Sequence, residues 1–169
     1  PRTLQFCYSQ YGKPALVSEA SSDPLFFNVS HSHGMALYAI SRNLNIGVDI
    51  EYMRMDIECE QIAVRFFSPY EVSMLLAVPK GVQHEAFFNC WTRKEAYIKG
   101  RGLGLSLDLN QFDVSLTPGE PAAILNIREE GQDVSRWSLH ALSPGPGYKA
   151  ALVVEGHPSN IKCWQWTGV

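Results

Sequence analysis

Three short stretches of this chain carry chemically capable side chains at spacings that bring them together. In Gly47-Val48-Asp49-Ile50-Glu51, apolar Ile46, Val48 and Ile50 alternate with Gly47, Asp49 and Glu51, the period of a β-strand. Residues two apart on a strand share a face, so Asp49 and Glu51 stand side by side. Two adjacent carboxylates raise each other's pKa unless a cation lies between them. The plainer reading is an edge strand with both acids in solvent, since surface acids are common. In Trp91-Thr92-Arg93-Lys94-Glu95-Ala96-Tyr97-Ile98-Lys99-Gly100, residues Trp91, Glu95 and Lys99 share one helix face, with Lys94 beside it. Taken alone, Glu95 and Lys99 make an ordinary solvated pair, and Trp91 an ordinary core residue. In Phe27-Asn28-Val29-Ser30-His31-Ser32-His33, a hydroxyl and an imidazole at a strand end suit phosphate oxygens. The competing reading there is a His-x-His metal pair, with zinc on His31, His33 and Asp49.

These groups need a scaffold, and the pattern supplies one. Leu25–Ser30, Gly34–Ile40 and Ile46–Glu51 read as strands, the first two paired. Ile57–Phe67 has helical spacing. Ser68-Pro69-Tyr70-Glu71 reads as a helix start, with Ser68 as N-cap, Pro69 at the first position and Glu71 as capping-box partner. That helix runs to about Ala77. Val82–Lys99 is the longest helical pattern, stopped by Gly100 and Gly102. Gln111–Leu116, Ala122–Ile127, Trp137–Leu142, Tyr148–Val154 and Ile161–Trp166 read as strands separated by Pro- and Gly-rich turns. The stretch before Asp23 reads as polar and turn-rich, with a turn at Tyr11-Gly12-Lys13-Pro14. The class is α+β, with helices packed on a mostly antiparallel sheet.

The 169 residues make about one domain, or two small subdomains sharing a core, and 46% hydrophobic with 18% charged residues is a globular composition. A net charge of -3 gives no support for a nucleic acid as main partner. Cys7, Cys59, Cys90 and Cys163 lie far apart, which favours buried, reduced thiols over a zinc knuckle or disulfide framework. No apolar run is long enough for a membrane span, and no secretory signal opens the chain, so the expectation is a cytoplasmic protein. The chain begins with Pro1, as expected of a fragment or a processed product.

Together the blocks resemble a family. Asn28-Val29-Ser30-His31-Ser32, Gly47-Val48-Asp49-Ile50-Glu51, Phe66-Phe67-Ser68 with Glu71, Trp91 to Lys99, and Gly102-Leu103-Gly104-Leu105 resemble, in order and spacing, the motifs of Sfp-type 4′-phosphopantetheinyl transferases. The match covers Phe27 to Leu105. The resemblance implies a pseudo-twofold fold whose first subdomain is incomplete: residues 1–45 as its remainder and 46–169 as the C-terminal subdomain. It implies transfer of 4′-phosphopantetheine from coenzyme A to a serine of an acyl or peptidyl carrier protein, releasing adenosine 3′,5′-bisphosphate. It implies magnesium on Asp49, Glu51 and Glu95, a ligand set that suits a hard cation. Lys94 and Lys99 would contact phosphates, as would Ser30 and His31. The base would be Glu95, directly or through a water, ahead of Glu71, with Lys99 assisting. Trp91 would seat the helix on the core without a chemical role. The carrier protein would dock near Leu103 and Leu105, and the molecule would be a monomer. The alternatives are a module that binds coenzyme A or a carrier protein without turnover, and a zinc hydrolase.

Overall fold

The computed structural model describes residues 4–17 and 23–166. Two antiparallel hairpins come first: β1 (Phe6–Tyr8) with β2 (Pro14–Leu16), then β3 (Leu25–Ser32) with β4 (Met35–Arg42). The first lies in the stretch expected to be polar and turn-rich, and the expected turn at Tyr11-Gly12-Lys13-Pro14 joins its strands. The β3–β4 turn puts His33 at φ 45 and Gly34 at φ 88, the paired left-handed residues that match strand twist in a tight hairpin. Next come β5 (Ile46–Tyr52) and three helices, α1 (Cys59–Phe66), α2 (Pro69–Ala77) and α3 (Lys80–Arg101). The chain then forms β6 (Phe112–Val114), β7 (Ile124–Ile127), β8 (Trp137–Leu142) and β9 (Tyr148–Glu155). The central sheet is antiparallel in the order β5-β9-β8, and β6 pairs with β7.

The α+β expectation is met. The capping box forms as written: Ser68 Oγ accepts from Glu71 N at 3.2 Å, and Glu71 Oε2 accepts from Ser68 N at 2.9 Å. Helix α3 passes through Gly100 and stops where Gly102 takes φ 69. Ile161–Trp166 is not a strand, because no sheet edge among the described residues pairs with it. Its alternation leaves Trp164 and Trp166 exposed, while Ile161 packs against the core. Of the four cysteines only Cys90 is buried; Cys59 is half-buried, and Cys7 and Cys163 are exposed.

Alternation along the central strands makes two apolar layers. Ala151 and Val153 of β9 face α3, where Phe87, Ala96, Tyr97, Phe112 and Trp137 complete the larger core. Leu152 and Val154 face the other way and meet Ile46, Val48 and Ala39. One charged pair lies inside the larger core. Lys94 Nζ is 2.7 Å from Glu71 Oε2, and both side chains are 0% exposed. Glu71 Oε1 accepts from Val114 N at 2.8 Å, and Lys94 Nζ donates to the carbonyls of Leu109 and Phe112. With these bonds the pair joins α2, α3 and β6. Lys94→Met leaves Glu71 charged and buried without its partner, and is expected to lower unfolding free energy by roughly 3–5 kcal/mol in urea titrations.

Candidate active site

Strand β5 and helix α3 approach so closely that only glycine fits between them. A Cβ on Gly47 would lie 2.1 Å from Ala96 O and 2.2 Å from Gly100 N. This contact brings the next outward residues of β5, Asp49 and Glu51, under the face of α3 that carries Glu95 and Lys99. Lys99 Nζ donates to Asp49 Oδ1 at 2.7 Å and to Ser30 Oγ at 3.0 Å. Lys13 pins the same junction from the first hairpin. Its Nζ donates to Ile46 O at 3.0 Å and Gly100 O at 3.1 Å, and burial lowers its pKa to about 8.

Strand β3 lies along the free edge of β5 and joins it through side chains. Asn28 Oδ1, Ser30 Oγ and Ser32 Oγ accept from the backbone N–H groups of Val48, Ile50 and Tyr52, at 2.8, 3.3 and 3.1 Å. The serines also donate: Ser30 to Asp49 Oδ1 at 2.8 Å, Ser32 to Glu51 Oε2 at 2.9 Å. Between β3, β5 and α3 opens a cavity of about 390 Å³. Its walls are Val29, Ser30 and His31 of β3, Asp49 and Glu51 of β5, and Trp91, Glu95 and Lys99 of α3.

Asp49 is the electrostatic centre of this cavity. Its carboxylate is almost wholly buried, and Oδ2 has no hydrogen-bond partner among the described residues. Desolvation raises its pKa to about 6, against the opposing pull of Lys99. Desolvation also raises Glu95, with Lys99 opposing and Glu51 reinforcing. An anionic cavity with an orphaned buried carboxylate oxygen has the donor chemistry for a hard divalent cation. As they stand, no three His, Cys, Asp or Glu side chains among the described residues are grouped so as to hold a metal ion by themselves. Magnesium does not require one, since it commonly binds one or two carboxylates together with substrate phosphates and waters.

The 4′-phosphopantetheinyl transferase superfamily model matches residues 45–153, the span from β5 to β9. The chain belongs to this family. It is 37% identical to the 4′-phosphopantetheinyl transferase HetI of Nostoc sp. over 98% of its length, and 37% identical to the transferase Sfp of Bacillus subtilis over 92%. It spans 67% and 64% of those two proteins, and 54% of a putative transferase of Synechocystis sp.. The holo-acyl-carrier-protein synthase of Thermotoga maritima superposes with a TM-score of 0.49 at 19% identity, covering 68% of this chain and 64% of that one.

The transferase motifs are distributed between the cavity and the core. Asp49, Glu51, Glu95, Lys99, Ser30 and His31 meet in the cavity. Lys94 and Glu71 do not: they neutralise each other in the core, and neither side chain reaches solvent. The expected phosphate contact by Lys94 and the candidacy of Glu71 as base are therefore corrected. Lys94 points one residue round the helix from Glu95, into the protein. Ser30 has no spare proton for a phosphate, because its hydroxyl donates to Asp49. Trp91 both packs on Phe67 and Phe87 and forms part of the cavity wall. The zinc reading fails at His33, which is not part of the cavity wall that His31 and Asp49 share and whose ring stacks on Tyr52 at 4.4 Å. Leu103 is half-buried, and the Leu105 side chain lies outside the described residues.

The reading by residue type passed over Asn28, Ser32, Gly47 and Lys13. The polar alternation Asn28-x-Ser30-x-Ser32 carried the signal for the first two, since those side chains share one strand face. The raised Asp49 pKa has a consequence for stability. Between the ordinary value near 3.8 and about 6, the folded chain binds more protons than the unfolded one. Without a divalent ion, stability therefore falls as pH rises through that window. In chelator at about pH 7.5, Asp49→Asn is expected to be more stable than the parent by up to about 3 kcal/mol. The two should converge as pH falls toward 4, as followed by scanning calorimetry.

Proposed function

We propose that this chain transfers the 4′-phosphopantetheine group of coenzyme A to a serine hydroxyl of a carrier protein. The observation that carries this reading is the unpartnered Asp49 Oδ2, set beside Lys99, Glu51 and Glu95 in one open cavity. Such a site suits a ligand that arrives as a divalent cation with a diphosphate. Asp49, Glu51 and Glu95 would hold magnesium. Bound there, the ion would neutralise the diphosphate and draw electron density from the phosphorus under attack.

The chain's own groups have separable tasks. Lys99 is 29% exposed, so its ammonium can meet a phosphate oxygen while Asp49 anchors it. His31, exposed at the cavity wall, supplies a second hydrogen-bonding group. Ser30 orients Asp49 instead of binding substrate. Glu95, which lines the cavity beside Lys99, takes the serine proton. The serine oxygen bonds to the β-phosphorus, the bond to the bridging oxygen breaks, and adenosine 3′,5′-bisphosphate departs with those electrons. Positioning and electrostatics provide most of the acceleration, as in phosphoryl transfers generally.

Incubation with coenzyme A, magnesium and an apo carrier protein tests the proposal by intact-protein mass spectrometry. The expected result is a carrier heavier by one phosphopantetheine group. A carrier of unchanged mass, with coenzyme A still bound by the chain, would establish the non-catalytic module instead. Glu95→Gln is expected to slow transfer by roughly 10²–10⁴-fold while the melting temperature stays near that of the parent. Normal turnover in that variant would remove Glu95 from the mechanism.

A further inference from the structure

We propose that Ser32 is a positioning residue that acts through Glu51, fixing this carboxylate for cation binding; this rests on the reading of the cavity just given. A serine hydroxyl has one proton to donate and two lone pairs to accept with. Ser32 accepts from Tyr52 N at 3.1 Å and donates its proton to Glu51 Oε2 at 2.9 Å. The first bond fixes the oxygen to the β5 backbone, so the second has a fixed origin. Glu51 is a long, half-buried side chain at the open end of its strand, and this bond restrains its rotamer.

The surroundings of Ser32 are built to hold it still. It is the last residue of β3, directly before the His33-Gly34 turn. The His33 ring stacks on Tyr52 at 4.4 Å, and Tyr148 packs edge-on against Tyr52 at 5.1 Å. The Tyr148 hydroxyl donates to His33 O at 2.7 Å. The turn is thus fastened to the end of β5 and the start of β9 at once. Glu51 and Ser32 are held by the same fastening, which explains three aromatic residues that touch nothing in the cavity. Ser32 also separates the question more cleanly than Ser30 does, because Ser30 is shared by Asp49 and Lys99.

The test titrates Mn²⁺ into the chain, with and without coenzyme A, and reads bound ion by electron paramagnetic resonance; melting temperature is recorded beside it. Ser32→Ala is expected to weaken Mn²⁺ binding by about 10–100-fold. Ser32→Thr, which keeps the hydroxyl, should restore most of it. In a Glu51→Ala background, adding Ser32→Ala should change Mn²⁺ affinity no further. If the alanine variant unfolds, Ser32→Cys replaces it with a similar volume and a poor donor, under the same expectation. Parent-like affinity in Ser32→Ala, or an equal loss with and without Glu51, overturns the positioning role and leaves the cavity reading standing. A parent chain that binds no Mn²⁺ under either condition overturns the cavity reading, and the proposal with it.

Discussion

Backbone contact between α3 and β5 at Gly47 governs the placement of the charged groups in the cavity. A methyl group there would fall within 2.1 Å of Ala96 O, so any other residue would push the helix off the strand. Gly100 on the helix side is less constrained: a Cβ there would meet the Trp137 and Val153 side chains at 3.3 and 3.4 Å, a tight but not prohibitive fit. Lys13 closes the junction by donating to one backbone carbonyl on each element, Ile46 O and Gly100 O. Because strand and helix touch at this point, a residue two positions along the strand faces Lys99 directly. The geometry of the cavity is therefore a packing result before it is an electrostatic one.

Two of the buried acids, Glu71 and Asp49, stand in contrasting states. Glu71 is matched in every respect, with a lysine, two backbone amides and a location that water does not reach. Asp49 is matched on one oxygen and bare on the other. Folding stability alone favours the first arrangement, since an unsatisfied buried acceptor costs free energy. Departures of the second kind are where binding sites are found, because the deficit is made good only when a ligand arrives. That one motif, Trp91 to Lys99, contributes to both is a consequence of helical geometry. Lys94 and Glu95 are adjacent in sequence and about 100° apart around the axis, so one serves the core and the other the cavity.

Much of this was legible in the sequence. Period-two alternation located β5, the Pro- and Gly-rich turns delimited β8 and β9, the capping box located α2, and the face shared by Trp91, Glu95 and Lys99 is the face that lines the cavity. The failures have physical causes. The Ile161–Trp166 alternation lacked a neighbouring edge, and a strand is defined by its partner. The hairpin of β1 and β2 is short and lies among turn formers, so local composition concealed it. Lys94 read as a phosphate ligand because its burial depends on Glu71, twenty-three positions away, a pairing that spacing along one helix does not reveal. Ser30 and Ser32 read as ligand-binding groups or as nothing, because only the fold shows that β5 has an unpaired edge for them to satisfy.

Side chains, not a backbone ladder, make the seam between β3 and β5, and this restricts how the segment can change over evolution. A backbone ladder bonds through main-chain groups whatever side chains the strand carries. The seam here bonds through the side chains of Asn28, Ser30 and Ser32, while Val29 and His31 face elsewhere. Insertion or deletion of a single residue in this stretch would present valine and histidine to the amides of β5 and turn both serines away from the acids. Length variants of the strand are thus confined to even steps, whereas the loop after Arg42 is under no such parity rule.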